Sequence, residues 1–390
     1  MPRSNLISRY GIIGEDLELK QNIEISIDAE GRISNLEFED IKNDEISLKE
    51  ENSNSLIIPG FINSHVHIAD NFAKEGGYNR NLLDIVAPPN GLKHKLLRNT
   101  AKQVKLLSIK KGVEELLSNG ITTFIDFREE GIKGINLMKE ALEDNEIIYK
   151  IQGRYSNENE IEHIFKLADG LGLSSYSKVK PTHQQIIKSC KNRFNKLVAC
   201  HDAENKRKPE LFQKLIRDDI VDVIIHGTHY LEKDFRKIIK NKLTLVLCPR
   251  SNAYFGVGFP DIKAILKLRM KISIGTDNLM AISPNLFDEI RYLYFRAREM
   301  GLNNQSGLNA KELLKMITVN AARNFKLKES MGSISEGKLA NFNIINLNDS
   351  NFFTQRLNRK KFFPLIIQRT KTENIKKTII RGKVVHERKY

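Results

Sequence analysis

From residue 56 to about residue 330, short apolar runs alternate with stretches of helical periodicity, the pattern of strand and helix units wound around a parallel sheet. The runs fall at Leu56–Ile58, Ile121–Asp126, Ile147–Ile151, Lys196–Cys200, Val221–Ile225, Leu243–Leu247 and Lys271–Gly275, and a weaker one at Gly170–Leu173 makes eight. Between Thr100 and Leu117 the periodicity predicts a helix, which Asn119-Gly120 should stop. The expected fold class is α/β, with this part of the chain forming a (β/α)8 barrel.

The two ends carry a different pattern. Ile23-Glu24-Ile25-Ser26-Ile27 alternates, Asp28-Ala29-Glu30-Gly31-Arg32 reads as a turn, and Ile33–Phe38 follows as a second strand. Beyond the turn at Gly332–Lys338 come Asn341–Ile345 and then Lys377–Val385. Strands at both termini, with the alternating units inserted between them, predict a small β-sandwich built from both ends. The expected division is 1–57 and 331–390 for the sandwich and 58–330 for the barrel.

In an α/β barrel the chemistry sits at the carboxyl ends of the strands, so the polar residues closing each run are the candidates. The first run continues through Pro59-Gly60-Phe61-Ile62-Asn63-Ser64 into His65-Val66-His67. Side chains alternate faces along a strand, so the two histidines point the same way and can share a metal ion. His201 follows Leu197–Cys200, His226 follows Ile224-Ile225, and Asp277 follows Ile274-Gly275-Thr276. Three histidines and a carboxylate leave room for water on a divalent ion, as hydrolysis needs and a closed structural site does not. Such an ion lowers the pKa of its water towards about 7. Glu204, three residues beyond His201, is a candidate general acid, and Asp277 a candidate acceptor for the proton of that water.

The segments Pro59–His67, His201-x-x-Glu204, His226-Gly227, Cys248-Pro249-Arg250-Ser251-Asn252 and Gly275-Thr276-Asp277-Asn278, in that order, resemble the amidohydrolase superfamily. The resemblance is to its chlorohydrolase and aminohydrolase branch, which includes cytosine, guanine and S-adenosylhomocysteine deaminases. It extends to Thr318–Arg323 and Gly332–Lys338 and so covers nearly all the chain. It implies His65, His67, His201 and Asp277 as ligands of one divalent ion, zinc or iron, with Glu204 as proton shuttle and His226 beside the bound water or substrate oxyanion. The ligand set alone prefers zinc and leaves iron, manganese and nickel open.

Departures from the family pattern point to the substrate pocket. The chain has no tryptophan, whereas many nucleoside deaminases of the branch carry one soon after the first motif. In its place stand Ala69–Gly77 and Val86–His94, which reshape the pocket, and Asn341 replaces an acidic residue near the carboxyl end. Arg250, Ser251 and Asn252 are candidate substrate contacts, as are Asp70 and Lys74. An arginine at 250 could hold a carboxylate or phosphate. His94, His183 and His229 are further histidines that loops could bring to the site, and Asp126 and Arg128 are a candidate ion pair beneath it.

The charge balance, 63 basic and 48 acidic residues or +15, suits an anionic small substrate. The lysines are spread along the chain with no basic stripe on one helix, so nucleic acid is not an expected partner. No apolar run reaches the roughly 18 residues of a membrane span, and no apolar leader follows Met1-Pro2-Arg3-Ser4-Asn5. Cys190, Cys200 and Cys248 form no close pair and read as reduced thiols. A cytoplasmic enzyme is expected, with no membrane partner and with a homodimer as the oligomer to test. Hydrolytic deamination of an amino-substituted heterocycle is the expected reaction. Hydrolysis of a cyclic amide, imide or halide is the rival chemistry, and a non-catalytic binding protein the rival class.

Overall fold

The apolar runs become barrel strands because each is covered on both faces, and β1 (Phe61–His67) and β2 (Ile121–Arg128) are buried at every position. The computed structural model describes residues 4–42, 44–46, 48, 54–303 and 307–389. Residues 1–3, part of the stretch expected to lack a leader, lie outside the described residues. The further strands are β3 (Ile148–Gly153), β4 (Gly170–Leu173), β5 (Leu197–Asp202), β6 (Val223–His226), β7 (Thr244–Leu247), β8 (Ser273–Ile274) and β9 (Asp277–Asn278). Their order in the sheet is β8-β7-β6-β5-β4-β3-β2-β1-β9. The weak run at Gly170–Leu173 is therefore a barrel strand, and the expected helix after Thr100 is present as Lys102–Ser118.

The last two strands are one strand with a break, and the break closes the barrel. β8 pairs in parallel with β7, Leu247 opposite Ile274, while β9 pairs in parallel with β1, Asp277 opposite Val66 and Asn278 opposite His67. Across the gap the buried Asn63 side chain replaces the missing ladder bonds. Its amide donates to Thr276 Oγ1 at 2.7 Å and its oxygen accepts from the Thr276 backbone N–H at 3.1 Å. Gly275 is needed there because a Cβ would lie 2.6 Å from the Cβ of His65 and 2.7 Å from its backbone nitrogen.

Leu56–Ile58, expected as the first barrel strand, belongs to the sheet formed by the termini. That sheet has seven strands, in the order Lys383–Glu387, Ile375–Ile380, Phe342–Asn346, Ser55–Pro59, Ser4–Ile13, Glu18–Ile27, Ile33–Glu39. The amino- and carboxyl-terminal strands meet where Ser55–Pro59 pairs antiparallel with Phe342–Asn346. The chain leaves this sheet at Gly60, where a Cβ would lie 2.3 Å from Thr122 Oγ1. Hydrophobicity runs unbroken through residues 56–62, so it gives no sign of that change of sheet. One face of the terminal sheet packs Ile13, Ile23, Ile25, Ile57, Phe342 and Ile379 into a common core. Asn341 ties the C-terminal hairpin by accepting the Arg381 backbone N–H at 2.9 Å.

By its contacts the chain divides into two compact units. One comprises Met1–Ile62, Glu115–Thr123 and Asn285–Tyr390; the other comprises Asn63–Glu114 and Phe124–Pro284. All residues of the site described below belong to the second. Among the described residues no helix is long and apolar enough to cross a membrane.

Candidate metal centre

β1 ends in His65-Val66-His67, and pleat alternation turns both imidazoles to the same side, where both are buried. His201 stands near the end of β5 and Asp277 at the start of β9. One ligand atom from each of these four residues lies within 4.8 Å of all the others. His65 Nε2 is 3.2 Å from His201 Nε2 and 3.3 Å from Asp277 Oδ1, and His67 Nε2 is 3.4 Å from that same oxygen.

The outward atoms of His67, His201 and Asp277 are engaged elsewhere. His67 Nδ1 is 2.7 Å from Glu129 Oε1, His201 Nδ1 is 3.4 Å from the Leu173 carbonyl oxygen, and Ser251 Oγ donates to Asp277 Oδ2 at 2.6 Å. Such outer partners set the ring orientation and leave the Nε2 lone pairs facing inward. Burial disfavours the charged imidazoles: His65 is shifted down, His67 to about 3, and His201 well below the usual range. Burial alone would raise Asp277, but the adjoining His65 and the neighbouring His226 and His67 outweigh it and hold the carboxyl well below its ordinary value. Neutral imidazoles and an ionised carboxylate, inward-facing and crowded at 3.2–3.4 Å, fit a divalent cation held among them.

A second group adjoins the first through Asp277. His226 closes β6, and its Nδ1 is 3.0 Å from Asn252 Oδ1, while Asn252 Nδ2 donates to Thr228 Oγ1 at 2.9 Å. Among the described residues the buried His226 Nε2 has no hydrogen-bond partner, and it lies 3.7 Å from Glu204 Oε1. Glu204, His226 and Asp277 each offer an atom within 4.8 Å of the other two. Burial raises the Glu204 carboxyl, with His226 opposing. His226 (φ 75°) and Asp277 (φ 64°) both hold the left-handed backbone conformation, a strain of about 1–3 kcal/mol each that packing must offset.

Beneath His67 lies a charged network that sequence reading reached only in part. Glu129, directly after β2, contacts Lys93 Nζ at 2.7 Å and Arg128 Nη2 at 2.8 Å as well as His67. Lys93, on the helix Leu92–Asn99, also lies 3.3 Å from Asp70 Oδ2 and donates to Asn278 Oδ1 at 2.8 Å. Burial would raise Glu129, but Lys93, His67 and Arg128 hold it well below the usual range. Asp70 is pushed up to about 7 by burial against the opposing Lys93, and Asp126 to about 6 against Arg128, whose Nη1 is 3.5 Å from Asp126 Oδ2. The strand-end rule that pointed to Asp126 and Arg128 extends one residue further to Glu129. Lys93 has no such mark, because nothing local distinguishes one lysine among many in a loop and short helix.

The expected substrate contacts are dispersed. Ser251 and Asn252 are buried, with their polar atoms turned to Asp277, His226 and Thr228. Arg250 donates to the Ser283 carbonyl oxygen at 3.2 Å, Asp70 accepts the Met280 backbone N–H at 3.0 Å, and Lys74 is exposed. His229 belongs to neither ligand group. His94 and His183 line a cavity of about 670 Å³ whose walls also include Glu129 and Leu173. His94 Nε2 is 3.1 Å from the Val86 carbonyl oxygen, and burial lowers this imidazole to about 4. His183 Nδ1 is 3.0 Å from the Tyr155 hydroxyl.

Comparison with known proteins gives this geometry its context. An uncharacterized protein of Methanocaldococcus jannaschii is 33% identical over 370 residues, which cover 90% of this chain and 93% of that protein. The 5-methylthioadenosine/S-adenosylhomocysteine deaminase of Pyrococcus furiosus is 25% identical over 333 residues, 76% of each chain. The structure of an adenosine deaminase from Xanthomonas campestris with bound zinc shares the fold, with a TM-score of 0.80 at 14% identity over 97% of this chain and 92% of that one. The model of the amidohydrolase family matches residues 56–385, a span that begins before β1 and ends within the last strand of the terminal sheet, and the chain belongs to that family.

Proposed function

We propose that the protein is a metal-dependent hydrolase that deaminates an amino-substituted heterocycle and releases ammonia. The observation that carries this reading is the placing of Glu204 and His226 against Asp277, on the edge of a four-donor cluster. His65, His67, His201 and Asp277 would hold one divalent ion, zinc by the preference of three imidazoles and a carboxylate. That ion would supply a water acidic enough to give hydroxide near neutral pH.

The remaining work falls to the chain's own side chains. Asp277, ionised and restrained by Ser251, takes a proton from the attacking water. Glu204, whose carboxyl is raised by burial, gives its proton to the ring nitrogen as the ring carbon gains oxygen. The proton from Asp277 then reaches the leaving amine, the C–N bond breaks as the C=O bond forms, the remaining proton on that oxygen returns to Glu204, and ammonia departs. His226 Nδ1 is fixed on Asn252, so Nε2 is presented to the reacting oxygen. The fragment of the Pyrococcus furiosus enzyme's name that matters here is deaminase, and that sequence likeness supports the same bond as the target. Three free, buried thiols suit a reducing compartment, and we place the enzyme in the cytoplasm.

The test combines metal analysis of the purified protein with ammonia release across aminopurines, aminopyrimidines and pterins. The expected result is about one divalent ion per chain and turnover that His67→Ala and Asp277→Ala abolish. A panel negative throughout, with turnover of cyclic amides, would replace deamination by amide hydrolysis. Turnover surviving both substitutions would overturn the metal assignment.

A further inference from the structure

Lys93 takes no part in the proton transfers above, yet only 3% of it is exposed, and its ammonium meets three oxygens that the fold brings together. Glu129 Oε1 lies at 2.7 Å, Asn278 Oδ1 at 2.8 Å and Asp70 Oδ2 at 3.3 Å. An ammonium has three protons to give, so these acceptors satisfy it. For stability alone a buried charge is a poor choice, since apolar side chains of similar volume often hold a fold as well or better. Its surroundings point to another role.

Two of the acceptors belong to the setting of the centre. Glu129 Oε1 is also 2.7 Å from His67 Nδ1, and Asn278 follows Asp277 in β9, where it pairs with His67. The third, Asp70, lies in the short helix Ile68–Ala73 directly after β1, and its other oxygen accepts the Met280 backbone N–H at 3.0 Å.

The backbone of Lys93 belongs instead to the cavity wall. Its helix, Leu92–Asn99, presents His94, Leu97 and Arg98 to the cavity of about 670 Å³, and Pro88 and Pro89 from the preceding turn line it too. Other ties of this wall are of a different kind. Leu82 and Ile85 pack with Phe255 and Met280, Lys105 Nζ donates to the Leu97 carbonyl oxygen at 3.2 Å, and Lys178 Nζ donates to that of Pro88 at 3.4 Å. His94 Nε2 and Arg98 Nη1 meet the Val86 and Pro89 carbonyl oxygens, inside the wall itself. Lys93 gives the wall a charged link to the residues around His67 and Asp277.

We propose that Lys93 is a positioning residue that fastens this wall to the metal centre, so that an occupied centre and an ordered wall support one another. It does so whatever the reaction, and its role rests only on the four-donor centre. With the inward atoms of His67 and Asp277 engaged, Glu129 stays against His67 Nδ1 and Asn278 stays paired with β1, and both acceptors remain in place for Lys93. When those ligands are released, the two acceptors lose their fixed positions and the wall loses its charged link. A hydrogen bond to a charged group changes an equilibrium by about tenfold or more, and linkage makes the effect mutual.

Hydrogen exchange read by mass spectrometry, on the purified protein loaded with zinc and after its removal by a chelator, tests this without turnover. Amides of 92–99 should exchange about tenfold or more faster in the zinc-free protein, while those of the helix Glu232–Lys240, which shares none of these contacts, change less than about twofold. Lys93→Met removes the link, and adding Asp70→Asn removes the charge left opposite it, while Glu129 keeps Arg128 at 2.8 Å. In this double variant 92–99 should exchange fast in both states, which should then differ by less than about twofold. Zinc dependence that persists in the variant would make Lys93 a support of the fold alone and overturn the proposal. Exchange of the parent at 92–99 that ignores zinc also overturns it, as does equal acceleration at 232–240, which would mean that zinc steadies the whole barrel; neither result needs a variant to fold. A purified protein that takes up no zinc overturns the centre and the role of Lys93 together, whereas a lack of deamination touches only the reaction.

Discussion

Replacing Glu129 by glutamine tests whether the network under His67 serves the centre or only the fold. The substitution keeps the shape of the side chain and removes its charge. Glu129 is 2% exposed, and its oxygens lie 2.7 Å from His67 Nδ1, 2.7 Å from Lys93 Nζ and 2.8 Å from Arg128 Nη2. Breaking a buried ion pair costs about 3–5 kcal/mol when the partner is left unpaired. Lys93 keeps Asp70 at 3.3 Å and Arg128 keeps Asp126 at 3.5 Å, which places the expected loss near the lower bound, about 3 kcal/mol. Over a chain of this length that lowers the thermal midpoint by on the order of 5 °C. Glu129 is held below its ordinary pKa in the folded state, so its contribution is complete above the unfolded value of about 4.3 and is lost as pH falls through the folded one. The second effect is specific to the centre. Without a carboxylate on Nδ1 the His67 ring loses its orientation, and metal affinity should fall about 10–100-fold. Competition with a chromophoric chelator measures this, with activity restored at high metal concentration. Glu130→Gln is the control, since its pair with Lys105 is partly exposed and is worth about 1 kcal/mol or less. A Glu129→Gln protein that holds metal within twofold of the parent would refute the reasoning, whatever its midpoint.

Three further outcomes follow from the geometry. The acid form of Glu204 is the proton donor and burial raises its pKa, so kcat/KM should fall as pH rises through that value; Glu204→Gln should lower kcat at least about a hundredfold and erase the limb, and a pH profile that keeps it would reject the role. Ser251→Ala removes a 2.6 Å charge-assisted hydrogen bond to Asp277 and should cost about tenfold or more in kcat with little change in the melting midpoint, as paired kinetics and calorimetry would show. Asn63→Ala opens the stitch across the barrel's closing strand and should cost about 2–3 kcal/mol in denaturant unfolding; an unchanged midpoint would mean that other bonds close the barrel.

Much of this protein is legible in its sequence because the signals are local. Strand runs buried on both faces are mostly apolar, so most of the barrel strands could be placed, even the short Gly170–Leu173, although Leu56–Ile58 stood in for the true first strand. The period of two along Phe61–His67 puts His65 and His67 on one side without reference to any other residue, and the ends of β5, β6 and the closing strand single out His201, His226 and Asp277. What the sequence could not convey is pairing at a distance. The assignment of Leu56–Ile58 to the terminal sheet depends on Phe342–Asn346 lying beside it, nearly three hundred residues away in the chain. Ser251 and Asn252 read as substrate contacts, and only the fold shows that the hydroxyl of one meets Asp277 and the amide oxygen of the other meets His226. Lys93 gains its place from burial among Glu129, Asp70 and Asn278, which come from three different parts of the chain. Hydrophobic periodicity and strand-end chemistry are written residue by residue and survive in the sequence alone; the partner of a buried charge is chosen by the fold, since only a shared low-dielectric interior makes one carboxylate among forty-eight acidic residues the necessary neighbour of one lysine.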